Sequence, residues 1–381
     1  MTYGTKNGTV AVKAISAVLF LVFVFCYLYF YQADILAVSQ HVLSGGKTSY
    51  EPTIGAALIT LVLYLLQIGV YAFTKLEGRA YALTYFPSIL ILTVLTSLQP
   101  DCNKPIAFGA WWIVFPLLLL LYAGGGYVIR QCQTCHSYHR GAGWMSKVLW
   151  CNVLTLSGMF VFAGLCSNSN DVYHYRMKAE RCLMRHDWDG AALVGRKSLA
   201  TDSSLTMLRA YALAKQGLLG EYLFNYPVIG NSRVLLPDSQ TVKLMMLQEK
   251  YIYHDLGIRL RQQLSPRKYL DFIDRHNIAK PMGHEYLLTA YLLDKDLDGF
   301  VRKIGKYYEL NDSLPKHYRE ALTLYTHLHS VPYVVYHNTV MDADYQDFQK
   351  LCRSEADTAI RKTKLKDTYG NTYWYYYQYG E

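Results

Sequence analysis

The chain has 381 residues, 38 Lys and Arg against 29 Asp and Glu, a formal net charge of +9, 52% hydrophobic residues and 35 tyrosines. Nine basic and four acidic residues stand before position 167, so the excess divides into +5 for the first 166 residues and +4 for the remaining 215. So thin a basic surplus excludes a nucleic-acid footprint, and the apolar content excludes a disordered chain.

Five apolar stretches follow one another in the first part: Ala14–Tyr31, Ile54–Phe73, Tyr81–Leu98, Ala107–Ile129 and Val148–Leu165. Each is about 18 to 23 residues long, enough for a helix rising 1.5 Å per residue to cross ~30 Å of hydrocarbon. Between their ends stands no Asp, Glu, Lys, Arg or His. Pro87 and the nearby threonines predict a kinked third span, its freed carbonyl satisfied by neighbouring helices. Phe20, Phe23, Phe25, Tyr27, Tyr29 and Phe30 make the first stretch a retained anchor rather than a cleaved signal. The uncharged spans argue against an ion-coupled transporter, which keeps ionisable groups at membrane depth. Gln67, Asn152 and Ser157 are expected to bond between helices.

With a cytoplasmic N-terminus, the inner segments hold Lys6, Lys13, Lys75, Arg79, Arg130, Arg140 and Lys147, and the outer loops only Lys47 and Lys104. This bias predicts a membrane protein with its N-terminus inside, which in a bacterium with two membranes would be an inner-membrane protein. Its transmembrane domain is 1–166, and the odd number of spans carries a domain over 167–381 to the periplasm.

Several motifs fall along the way. Cys132, Cys135 and His136, with His139 beyond, spell the C-x-x-C-H of haem attachment, but the predicted loop is cytoplasmic, where that attachment does not occur. Gly46-Lys47-Thr48 ends like a phosphate-binding loop but has His41 where the first glycine belongs. Asp294, Asp296, Asp298 and Gly299 open like a calcium loop, yet Gly305 stands where the bidentate Glu is needed, which favours a capping turn. No metal and no cofactor is expected, and no nucleophile elbow or H-E-x-x-H occurs. Cys182 and Cys352 could pair in an oxidising compartment, but spacing says nothing of their proximity. The histidines at 254, 276, 284, 317, 327 and 329 are expected on helix surfaces or in satisfied core positions.

Beyond Asn170 the apolar spacing predicts helices at Val172–His186, Gly190–Ala200, Ser204–Gln216, Pro266–His276, Pro281–Leu293, Gly299–Leu310 and Leu314–His329, and no strands. The fold class is therefore all-α: a five-helix transmembrane bundle followed by helical hairpins. Asp187-Trp188-Asp189-Gly190 and Asp296-Leu297-Asp298-Gly299 separate two helix pairs in the same way. These pairs resemble a divergent tetratricopeptide repeat. Ala179, Asp187, Trp188, Ala191 and Leu199 match its positions, and Ala210 and Gly217 suggest a second copy. Gly195 departs where a large aromatic is usual, Ser203 where proline is, and 225–248 fits no repeat.

The whole chain also resembles an uncharacterised family of bacterial multi-pass membrane proteins, a domain-of-unknown-function group. The resemblance is sharpest at Thr201–Phe224, Tyr291–His327, Val335–Phe348 and Gly370–Gly380. It implies envelope residence and supplies no catalytic residue.

Twenty-three tyrosines follow residue 166, and they concentrate in Tyr373-Trp374-Tyr375-Tyr376-Tyr377-Gln378-Tyr379. Trp374, Tyr375, Tyr376, Tyr377 and Tyr379 are the candidate contact residues for a partner, unless the tail instead caps the last hairpin. The expected function is a membrane-tethered scaffold docking an envelope protein or peptide, with the lipid bilayer its other partner. An envelope transferase acting on a lipid-linked or glycan substrate would draw on His41, Lys47, Glu51 and Asp101. A transporter component is the third reading.

Overall fold

A run of twenty apolar residues can satisfy its backbone without water only by coiling into a helix. The computed structural model describes residues 3–97, 109–135, 147–237, 241–262, 264–354 and 357–380, with side chains described from Val10 onward and, in the fourth apolar helix, as far as Gln131. No strand occurs among them, and the chain divides into two compact units, Met1–Asn170 and Asp171–Glu381.

The first unit contains α1 (Tyr3–Cys26), α2 (Ala33–Ser44), α3 (Pro52–Thr74), α4 (Phe86–Ser97), α5 (Trp111–Cys135) and α6 (Lys147–Cys166). Five stretches are long and apolar enough to cross a membrane: Val10–Tyr31, Pro52–Thr74, Gly78–Ser97, Trp111–Gln131 and Lys147–Cys166. The first ends in a π-helical turn at Tyr27–Tyr31, where Gln32 N–H reaches back to the Tyr27 carbonyl at 3.0 Å. The short helix α2, which lies outside the helices expected from the sequence, follows at once and buries Ile35, Leu36 and Val38.

The third stretch is the enclosed one: 61% of its apolar core is buried, against none of the fourth. It is a 3-10 helix from Gly78 to Tyr85 that becomes α4 at Phe86. Pro87 therefore sits in the first turn of an α-helix, where its missing N–H has no intrahelical partner to lose. Asn152 on α6 stitches the 3-10 segment. Its side-chain oxygen accepts Ala82 N–H at 2.7 Å, and its amide donates to the Gly78 and Val148 carbonyls, each at 2.8 Å. Gln67 donates to Thr84 Oγ1 at 2.9 Å, and Ser88 donates to the Leu63 carbonyl at 2.8 Å. Gln67 and Asn152 thus bond between helices as their burial requires, whereas Ser157 faces outward.

The second unit contains α7 (Asp171–Met184), α8 (Trp188–Leu193), α9 (Ser203–Lys215), α10 (Leu219–Tyr222), α11 (Glu249–Leu256), α12 (Pro266–Arg275), α13 (Pro281–Leu293), α14 (Leu297–Ile304), α15 (Lys316–Leu328), α16 (Thr339–Ser354), α17 (Thr358–Tyr369) and α18 (Tyr373–Tyr379). Helices α9 and α13 touch and are buried round most of their circumference, which makes them the centre of the core.

Four helices of the second unit end in one kind of turn. His186, Gly217, Asn277 and Lys295 take left-handed conformations at φ 60°, 70°, 53° and 57°. The next residue's N–H then reaches back five positions: Asp187 to Cys182, Leu218 to Leu213, Ile278 to Ile273 and Asp296 to Tyr291, at 2.9–3.0 Å. This closure satisfies the last carbonyls of each helix. Two of the turns go on identically. Asp187 and Asp296 sit at φ/ψ −88/80° and −90/78°, and each carboxylate accepts the glycine N–H three residues on, at 2.8 Å. The shared D-x-D-G spelling is thus one capping geometry used twice.

Two boundaries differ from the sequence pattern. Helix α8 stops at Leu193 instead of running to Ala200, because Gly195 turns left-handed at φ 64°. Leu199, matched to a core position, is 68% exposed for the same reason. Helix α14 stops at Ile304, short of Leu310.

The stretch between α10 and α11 is irregular apart from short 3-10 turns and is held by side chains from other helices, chief among them the buried Glu180. Glu180 on α7 accepts the N–H groups of Met245, Met246 and Leu247 at 2.9, 2.6 and 3.2 Å. Arg176 donates to the Lys243 carbonyl at 2.9 Å, and Ser204 Oγ accepts Lys243 N–H at 3.0 Å. Side chains here replace the ladder that a regular element would supply.

Candidate functional site

The aromatic tail is helix α18, started by Thr372, whose hydroxyl accepts Tyr375 N–H at 3.3 Å. Glu320 on α15 receives it: its carboxylate accepts Tyr373 N–H at 2.7 Å, and its carbonyl accepts the Trp374 indole at 2.7 Å. The same carboxylate holds the buried His317 at 2.9 Å. Tyr373 and Tyr376 donate their hydroxyls to the Leu292 and Leu293 carbonyls at 3.2 and 3.0 Å, at the end of α13. Of the five candidate contact residues, Trp374 and Tyr376 are spent on the core, at 2% and 6% exposure. Tyr375, Tyr377 and Tyr379 remain half-exposed beside it. A row of tyrosines carries no helical stripe in its spelling, which is why sequence alone could not divide them.

A second locus lies where α8 ends. A cleft of about 720 Å³ is lined by Tyr175, Leu193, Gly195, Arg196, Lys197 and Ser198. Beneath it Arg209 of α9 is 1% exposed. Its Nη2 donates to the Val194 and Gly195 carbonyls at 3.0 and 3.2 Å, its Nη1 reaches Thr201 Oγ1 at 3.4 Å, and its guanidinium lies 5.0 Å from the Tyr226 ring centre. Nε has no hydrogen-bond partner, and among the described residues no carboxylate pairs with this cation. Asp202, the acid that acts on it through space, is engaged by Arg176 at 3.4 Å and by Leu205 N–H at 2.7 Å. Burial pushes the guanidinium below its ordinary pKa, partly countered by Tyr226, Asp202 and Tyr175. A Cβ at Gly195 would lie 2.9 Å from Arg209 Nη2 and 3.0 Å from the Tyr175 ring. The glycine that breaks the repeat pattern therefore makes room for a buried arginine. Its sequence signal was visible: one charge within the apolar run Leu205–Leu213.

The remaining candidates are dispersed or engaged. Arg267 pairs with Asp294 at 3.0 Å and with Asp296, while Asp298 meets His329 at 3.5 Å, so this acidic turn is tied up by bases. His41 lies in the last turn of α2, Lys47 in the following connection and Glu51 at the start of α3. Asp101 lies outside the described residues, as do His136, His139 and the side chains of Cys132 and Cys135. Cys352 is a free thiol that donates to Gln378 Oε1 at 3.4 Å, so it is not bridged to Cys182. Among the described residues no three His, Cys, Asp or Glu side chains gather as a metal-ligand set.

Among the described residues these features define an all-helical protein with five apolar helices of membrane-spanning length and a second unit of shorter helices. The chain belongs to DUF6057, a family of unknown function whose model matches residues 103–260 and 245–380. No curated protein and no solved structure matches it.

Proposed function

We propose that this is an integral protein of the bacterial inner membrane that holds its helical unit in the periplasm as a docking scaffold for an envelope protein or peptide. Membrane residence is supported by the five apolar helices, and the orientation by the seven-to-two bias of Lys and Arg across their ends. We read the second unit as a divergent array of tetratricopeptide type. The observation that carries this reading is the twice-used turn at Asp187 and Asp296, which joins short helices at one fixed geometry. Helical hairpins stacked in this way expose extended surfaces suited to a partner chain. Tyr375, Tyr377 and Tyr379 are the contact residues left available by the tail's packing.

Crosslinking in intact membranes followed by purification tests the proposal. A stoichiometric protein partner is expected, lost when Tyr375, Tyr377 and Tyr379 are changed together to Ser. Recovery of no stoichiometric partner overturns it.

A further inference from the structure

We propose that the cleft at Leu193–Ser198 binds the phosphate group of an amphiphile, with Arg196, Lys197 and Ser198 as its contacts and Leu193 beside its apolar part. Three independent observations meet there. Arg196 and Lys197 are exposed and form no ion pair among the described residues, so two cations stand side by side without counter-charge. Arg209 adds a third positive charge beneath them, walled from water, with no carboxylate in hydrogen-bonding contact among the described residues and Asp202 acting on it only through space. Capping the end of α8 explains its bonds to the Val194 and Gly195 carbonyls, but carbonyl dipoles do not cancel a full charge. In a low-dielectric setting that charge raises the potential across the cleft floor, and an anion in the cleft is its natural complement.

The donors point to the kind of anion. A guanidinium, an ammonium and a hydroxyl on successive residues can together serve the several acceptor oxygens of a phosphate. The walls point to the rest of the ligand. Leu193 is 54% exposed in the lining and Leu199 is 68% exposed just past it, apolar surface that a simple ion would leave wet. The Tyr175 ring adds a face with one polar end. Tyr175 also follows Cys166, the end of the fifth apolar helix, by nine residues of chain. The inference stands apart from partner docking and does not depend on Tyr375, Tyr377 or Tyr379.

Calorimetric titration of the full chain in an uncharged detergent tests it, with two probes: inorganic phosphate and dihexanoylphosphatidylglycerol below its micelle concentration. Saturable binding is expected, at least tenfold tighter for the lipid, and weakened at least tenfold by Arg196→Ala with Lys197→Ala. The control Lys268→Ala with Lys366→Ala removes the same charge elsewhere and should leave binding unchanged. Equal affinity for both probes, still lost in the Arg196/Lys197 variant, keeps the phosphate site and assigns it a soluble source. No saturable binding of either probe, or binding equally insensitive to both variant pairs, overturns the proposal.

Discussion

Gly299 is where a single hydrogen matters most in the capping turns. A Cβ there would lie 2.2 Å from the Tyr291 ring, whose hydroxyl is fixed to Asp271 at 2.8 Å and whose face carries Arg267 at 4.2 Å. The ring cannot move without breaking both contacts, so Gly299→Ala should lower stability by about 1–3 kcal/mol, read as a drop in Tm. Two carboxylates give opposite pH behaviour. At Asp274, burial opposes ionisation, but hydrogen bonds from Lys303, Lys306 and Tyr307 win and hold the carboxyl well below its usual range. Its contribution is fully present above the unfolded value near ~3.9 and is lost as pH falls through the folded one. At Glu285, burial raises the carboxyl to about 7, against N–H and hydroxyl donors from Leu219 and Tyr308. Its penalty grows between the unfolded value of ~4.3 and about 7, so Glu285→Gln should raise Tm at pH 8 and leave it nearly unchanged at pH 4. Asp274→Asn should instead lower Tm at pH 7 and flatten the acid limb. Neither carboxylate announces itself in the sequence, because the lysines that matter to Asp274 lie 29 and 32 positions away.

At the scale of elements, apolar spacing located best the helices that close on a left-handed residue, as α9 does at Gly217, α12 at Asn277 and α13 at Lys295. Pro281–Leu293 matches residue for residue. The spacing failed where a long-range side chain decides the backbone. Helix α8 is cut short by a glycine fitted around Arg209, and α11, α16 and α17 lie outside the helices that the spacing predicted. The segment between α10 and α11 could not be read at all, since its partner is Glu180 on α7. Replacing Glu180 by Ala leaves three N–H groups without an acceptor, at ~1–3 kcal/mol for each that water cannot reach. Hydrogen exchange at Met245, Met246 and Leu247 should then accelerate far more than exchange in α13; equal acceleration would mean that the whole unit, rather than this clamp, had been lost.

At the scale of the whole molecule, the five apolar helices were legible because lipid permits little else: uncharged runs of that length have few other uses. The candidate sites were legible only in part. Composition located the aromatic tail but not which rings are buried, and the lone charge of Arg209 in its apolar run marked a buried cation without showing what it holds. The orientation can be read directly. A phosphatase fused after Gly380 should be active and a fluorescent protein that matures only in the cytoplasm should be dark, with the reverse pattern for fusions within 136–146. The opposite result would turn the second unit to the other side of the membrane.

The Glu180 clamp carries a consequence for how this protein is made. A ribosome releases α7 first, and the amides that its carboxylate needs follow 65 to 67 residues later. Through that interval a carboxylate destined for the interior must stay hydrated, so α7 cannot settle on its own. If the unit emerges on the far side of a membrane, its first hairpin waits there, half-assembled and open to chaperones and proteases, until the clamp's other half has been threaded through.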